Sequence, residues 1–422
     1  MKSFIPLIKT EWRLLLFGFI MAFASSPGQT YFIALFSGEI RADLGLSHGD
    51  FGAIYSLGTL CSAAVLLWSG ALIDRIDLRK FSYAIVVGLA IGCLAMSVSQ
   101  NVIMLFIGIL LLRQFGQGLM YMIGTAAMVR YLDENKGKAN ALNVMGYSVA
   151  EAILPSAVIA FFLWLSWRES WVFWAAALLV CVPLSIRWLL RGHDKRHQDY
   201  LASLEEDEND AIASKPKKYR RRQWTRAEVL RDPMFYLFLP GLMAQPLLFT
   251  GFMFHQVHLV EVKGWSLALW GSLYLLYAAV SVGVKFFAGV LVDHYGAIRL
   301  VPWVTLPLGV GLFVMSLSSS LVVAVIFMVG LGITVALCSI VTAPFFSDMY
   351  GNRHLGAIKS VSTSAMVFMS ALSPVALGWL IDAGVSMETL MFWGACYVVL
   401  TSGIAFYACW LKLKSDVGVG NI

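Results

Sequence analysis

The sequence predicts an all-α membrane protein of twelve transmembrane helices arranged as two pseudo-symmetric six-helix bundles. Three observations carry that expectation. The chain is 59% hydrophobic and only 13% charged, with a mean hydropathy of +0.76, about half the charge of an ordinary soluble domain. Apolar stretches of the roughly 20 residues needed to cross a bilayer as a helix recur along its whole length. Residues also recur at one fixed offset of 219 positions, the mark of an internal repeat.

In chain order the twelve spans are expected at 14–37, 51–73, 82–100, 102–129, 139–163, 170–190, 234–258, 267–292, 299–318, 320–347, 357–381 and 389–411. The first run, from Leu14 to Phe36, is too long for a signal-peptide core and lacks a small-residue cleavage pattern, so it reads as a retained helix. Residues 1–191 form the first half, 192–231 a polar linker, and 232–422 the second half. The linker holds the acidic run Glu205-Glu206-Asp207-Glu208 and the basic run Lys215-Pro-Lys-Lys-Tyr-Arg-Arg-Arg. Of the 31 Lys and Arg residues, 26 fall on the side of the termini, three (Arg41, Arg168, Lys263) fall opposite, and Arg113 and Lys285 lie within spans. By the positive-inside rule both termini are cytoplasmic, as in a bacterial inner-membrane protein. The net charge of +6 therefore reads as orienting charge that also meets anionic headgroups, and no nucleic-acid partner is expected.

At the offset of 219, Pro27 pairs with Pro246, Gly45 and Ser47 with Gly264 and Ser266, Gly52 with Gly271, and Tyr55 with Tyr274. Gly70 and Asp74 pair with Gly289 and Asp293, Lys80 with Arg299, Tyr131 with Tyr350, Gly137 with Gly356, and Pro155 with Pro374. A gap-free register from the first helix of each half to the fifth implies two parallel halves, an arrangement used by transporters whose site lies at the repeat interface.

The segment Gly70-Ala-Leu-Ile-Asp74-Arg75-Ile-Asp77-Leu-Arg79-Lys80 resembles the loop signature of the major facilitator superfamily. Its second copy is Gly289-Val-Leu-Val-Asp293-His294-Tyr-Gly296-Ala-Ile-Arg299. The first copy has Asp77 where the family usually has Gly, and the second has His294 in place of Arg. In the span at 102–129, Arg113-Gln-Phe-Gly116-Gln117-Gly118 resembles the superfamily's helix-4 Arg/Gly motif. Lys285-Phe-Phe-Ala-Gly289 looks like the Arg-Pro-x-x-Gly segment of the monocarboxylate porter and oxalate/formate exchanger branches, with Lys285 for the Arg and Phe286 for the Pro. The resemblance covers essentially the whole chain and implies the major facilitator fold, with Gly70, Asp74, Arg75, Arg79, Gly289, Asp293 and Arg299 as gating residues. Gly70 and Gly289 are expected to let neighbouring helices pack closely, and Asp74 to face the positive N-terminus of a helix.

Ionisable groups within spans are expensive and mark function by default. Arg113 and Glu151 both fall near the bilayer midplane at about 1.5 Å of rise per residue, on consecutive helices, and an ion pair between them is expected. Glu151 beside a cation suits proton exchange. Lys285 has no acidic residue mid-span in its own half and suits an anionic substrate; the bland reading is a snorkelling lysine. Gln29, Thr30, Tyr31, Asn143, Tyr147 and Gln245 are in-span polar groups placed to hydrogen-bond a substrate or simply to join helices. Six cysteines without metal or disulfide spacing, and His255 and His258 with no Cys or carboxylate joining them in sequence, give no metal site, and no cofactor is expected.

The reading is a secondary active transporter, not an enzyme, that moves a small organic anion, in first place a monocarboxylate, by alternating access with proton symport through Glu151. Its partners are the small-molecule substrate, the lipid bilayer and protons, and it is expected to be a monomer. Export of amphipathic compounds or drugs is the alternative within transport, and a non-transporting membrane sensor the alternative outside it.

Overall fold

The computed structural model describes residues 4–70, 72–132, 136–198, 223–351 and 354–419. The acidic and basic runs of the linker lie outside these residues, as do the side chains of Asp74 and Arg75. The described chain is helical and holds no strand. Eleven of its helices are long and apolar enough to cross a membrane.

The expected first span is the exception, because it is not one helix. It is built from α1 (Phe4–Ala24), a 3-10 turn (Ser26–Gly28), α2 (Thr30–Leu35) and α3 (Ser37–Leu44). Ser25 and Ser26 turn their hydroxyls back onto the carbonyls of Ala22 (2.7 Å) and Phe23 (2.5 Å), competing with the backbone ladder. Pro27 brings no N–H, and Gln29 is extended (φ −86°, ψ 150°). The repeat partner Pro246 lies inside an unbroken helix, Pro233–Phe254. It is flanked by Gln245 and Leu247, with no serine pair before it and no glycine after it.

Two compact units emerge, one from Met1–Leu46 with Ile54–Lys218, the other from Ser47–Ala53 with Tyr219–Ile422. Unit 1 continues with α4 (His48–Ser69) from Ile54 onward, its first turns up to Ala53 being counted with unit 2, and with α5 (Leu72–Arg75), α6 (Leu78–Ser97) and α7 (Val102–Leu112). A π-helical segment (Arg113–Met120), α8 (Tyr121–Tyr131), α9 (Lys136–Phe161) and α10 (Trp167–Leu189) complete it. There α10 packs along α6, and α1 along α9. Trp171 lies against Phe32 and Phe36 with ring centroids 5.7 and 4.6 Å away. Unit 2 holds α11 (Arg226–Val229), α12 (Pro233–Phe254), α13 (Gln256–Lys263), α14 (Leu267–Tyr295) and α15 (Ala297–Leu300), then a 3-10 turn (Val301–Trp303). It ends with α16 (Leu306–Leu317), α17 (Leu321–Tyr350), α18 (Leu355–Asp382) and α19 (Met387–Val419). Its core gathers Phe238, Phe345, Phe346, Tyr350 and Ile358.

The repeat read from residue identities reappears in helix geometry. Helices start at 48 and 267, 78 and 297, 102 and 321, and 136 and 355, each pair 219 apart. Gly45 and Gly264 both end a helix in the left-handed region (φ 64° and 68°), where glycine carries no steric penalty. Ser47 and Ser266 then cap the next helix through the backbone N–H of Asp50 (3.0 Å) and Leu269 (3.1 Å). Such caps satisfy N–H groups that have no ladder partner.

Candidate functional site

The break in the first span shapes a polar cluster in unit 1. Because Gln29 is extended, the Gly28 carbonyl accepts a hydrogen bond from Arg113 Nη1 at 3.1 Å. The same nitrogen reaches Thr30 Oγ1 at 3.4 Å, and the guanidinium carbon stands 5.1 Å from the Tyr55 ring centroid, within cation–π range. Thr30 Oγ1 and the Tyr55 hydroxyl share a hydrogen bond of 2.6 Å. Gln29 closes the turn by donating to Ser25 Oγ at 3.3 Å.

Arg113 is brought there by its own helix. It opens the π-helical segment, a ladder rare in proteins and frequent at functional sites. Gly116 in that segment meets Gly28 backbone to backbone: a Cβ on Gly28 would lie 2.7 Å from Gly116 Cα. Gln114 ties the segment to α4, accepting from Ser62 (3.2 Å) and donating to Ser69 (2.7 Å).

Arg113 is 3% exposed. Among the described residues its hydrogen-bond acceptors are the neutral oxygens of Gly28 and Thr30, and its buried Nε has no hydrogen-bond partner. The expected ion pair with Glu151 is therefore not formed. The helix break offers Arg113 a backbone carbonyl, and Glu151, also 3% exposed, accepts instead from Tyr147 on its own helix at 3.4 Å. The Tyr147 ring meets Tyr31 and Tyr121 edge-on, with centroids 6.1 and 5.9 Å away. The aromatic contact between Tyr31 and Tyr147 thus links the broken helix to the helix that carries Glu151.

Of the residues singled out in the sequence, Gln29, Thr30, Tyr31, Arg113, Tyr147 and Glu151 take part in this connected set. Asn143 does a packing job: it donates to Thr125 (3.2 Å) and Asn140 (3.3 Å) and fills the space above Gly18 and Gly124, so small residues let α1, α8 and α9 close up. Lys285 and Gln245 belong to unit 2, half-buried on α14 and α12. Tyr55 and Gln114 were missed as site residues. Tyr55 was visible only as a repeat position, and nothing in spacing aims Gln114 at α4.

The gating set divides. Arg79 pairs with Asp194 at 2.6 Å, while Asp293 and Arg299 are exposed. The packing role expected of Gly289 is not met, because a Cβ there would find no atom within 4 Å. Gly70 is constrained locally, its Cβ position lying 2.7 Å from the Leu66 carbonyl oxygen and only in ordinary contact with Met122. His255 and His258 are split by a helix end. His255 closes α12, and its Nε2 lies 2.9 Å from the Pro374 carbonyl.

The model of the Major Facilitator Superfamily matches residues 18–374. No curated protein matches the chain. Among solved structures it is similar to a bacterial homolog of the human lysosomal transporter Spinster in an inward-facing, unoccupied conformation. The TM-score is 0.67 at 15% identity, over 96% of this chain and 98% of that one. It is also similar to a mutant of the nucleoside transporter NupG, with a TM-score of 0.66 at 13% identity over 94% and 99% of the two chains. At such identities the likeness lies in the fold.

Proposed function

The chain belongs to the Major Facilitator Superfamily, a family of multi-pass membrane transporters, and on that premise we propose that it moves a small organic anion, a monocarboxylate, by alternating access. The observation that carries this reading is the charge state of the cluster in unit 1. A guanidinium 3% exposed, held by two neutral oxygens and keeping one N–H unused, is costly in a low-dielectric setting. It is satisfied when an anion arrives, because guanidinium and carboxylate match in a bidentate, charge-assisted way. Lys285, half-buried in unit 2, is a second in-span cation, a residue type that marks function within a membrane by default.

Glu151, buried and accepting a hydrogen bond from Tyr147, is the proposed proton carrier, which makes the transport symport. The termini face the cytoplasm of a cell whose plasma membrane holds the protein. Arg79 with Asp74, Arg75 and Gly70, and Asp293 with Gly289 and Arg299, serve the change of conformation.

The test is proton-gradient-driven uptake of a panel of labelled carboxylates into liposomes holding the purified protein, with Lys285→Gln alongside. Accumulation of one acid by the wild type, lost in the variant, is the expected result. No uptake of any acid, with export of amphipathic dyes instead, overturns the proposal.

A further inference from the structure

We propose that Asp77, His193 and His197 form a transition-metal site in unit 1, of the kind zinc occupies, next to the link between α4 and α6. One ligand atom from each residue lies within 4.8 Å of the other two. His193 and His197 stand four apart in helical turns at 193–198, which puts both imidazoles on one face. Their rings stack at 17° with centroids 5.9 Å apart.

The carboxylate reaches the pair from the start of α6. Asp77 Oδ1 caps that helix by accepting from the Lys80 N–H at 3.1 Å, which fixes the side chain and presents Oδ2 to His193 Nε2 at 3.6 Å. That gap is too long for a hydrogen bond. It is close to the separation of about 3.4 Å that two donors keep when each sits about 2.1 Å from a tetrahedral zinc ion.

A second observation points independently to a ligand. The His193 side chain is 0% exposed, and neither of its ring nitrogens has a hydrogen-bond partner. Buried polar atoms are almost always paired, and here both are left open in the same residue that faces the carboxylate. The surroundings are those of a metal ligand set. The Tyr131 hydroxyl lies 3.1 Å from His197 Nδ1 and orients that ring, as outer-shell partners do for metal-bound histidines. The nearby cations are already engaged, Arg79 by Asp194 and Arg196 by Glu11, at 2.6 and 2.7 Å. Three protein ligands leave one position for water or another donor.

The repeat supplies an internal comparison. At the offset of 219, the counterparts of Asp77, His193 and His197 are Gly296, Lys412 and Asp416, which offer no imidazole. The site is peculiar to one half, and its carboxylate stands where the superfamily loop usually has Gly. Neither the cysteines nor the pair His255 and His258 point to this site in the sequence, where Asp77 stands far from His193 and His197. The site is independent of which solute the protein carries.

The experiment uses the full-length protein, purified in detergent without a histidine tag, stripped with chelator and titrated with Co²⁺ and then Zn²⁺. The expected result is one Co²⁺ per chain, with the visible absorption of a low-symmetry ion, displaced by Zn²⁺. Changing both His193→Gln and His197→Gln should weaken Zn²⁺ binding at least a hundredfold. Asp77→Asn, which keeps an oxygen to cap α6 but removes the charge of the ligating carboxylate, should weaken it at least tenfold. Changing His255→Gln with His258→Gln should leave it unaltered. Binding by the wild type no tighter than by the His193/His197 double variant overturns the proposal, as does binding lost only with His255 and His258. If the double variant is not monodisperse on size exclusion, Asp77→Asn decides: wild-type affinity there overturns the site.

Discussion

Gly28 and Gly116 meet with no side chain between them: a Cβ added to either would lie 2.7 Å from the Cα of the other. This contact seats the broken first span on the π-helical segment, and the Gly28 carbonyl comes within 3.1 Å of Arg113 as a result.

Gly28→Ala and Gly116→Ala should therefore each destabilise the protein by about 1–3 kcal/mol, the usual cost of overpacking, and lower its thermal midpoint in detergent. Gly289→Ala, with no atom within 4 Å of the new Cβ, is the matched comparison and should not lower the midpoint, since alanine is the better helix former. Equal midpoints for all three would show that the two backbones do not need this approach.

Tyr55→Phe keeps the ring beside Arg113 and removes the hydroxyl that Thr30 shares at 2.6 Å. A cost of about 1 kcal/mol is expected. Thr30→Val removes that bond together with the acceptor for Arg113 and should cost more. A double-mutant cycle on the two positions should show coupling, since they share one bond.

Arg113→Lys keeps the charge but replaces a planar fork with a single ammonium, which cannot reproduce both the contact to Gly28 and the stack on Tyr55. Carboxylate uptake should fall at least tenfold in kcat/KM, with Arg113→Gln lower still. Wild-type uptake by Arg113→Lys would remove the guanidinium from the binding reading.

Glu151→Gln should abolish accumulation driven by a pH gradient while leaving substrate counterflow intact, because exchange across the membrane needs no net proton movement. Loss of counterflow as well would make Glu151 a binding or structural residue.

Much of the helical frame was legible from sequence, and the reason is physical. Transfer into hydrocarbon is read from composition over about 20 residues, and caps such as Ser47, Ser266 and Gly264 sit where local chemistry requires them. The break at Ser25–Gln29 was not legible from hydropathy, which is indifferent to hydrogen bonding. The signal was present as two serines before Pro27 and a glycine after it, a context that Pro246 lacks. The pairing of Arg113 with Gly28 rather than Glu151 depends on that break and on a π ladder that residue spacing does not announce. The four-residue spacing of His193 and His197 was readable. Its carboxylate was not, because Asp77 lies more than a hundred positions earlier.

The segments 102–131 and 321–350 contain the same number of residues, yet the first changes ladder at Arg113 and the second runs as one α-helix. A residue inserted into an α-helix turns everything beyond it by about 100°. The two copies instead keep a common count and differ in winding. Azimuth, rather than length, is thus the variable by which one half turns the residues that follow Arg113, where its twin continues as α-helix.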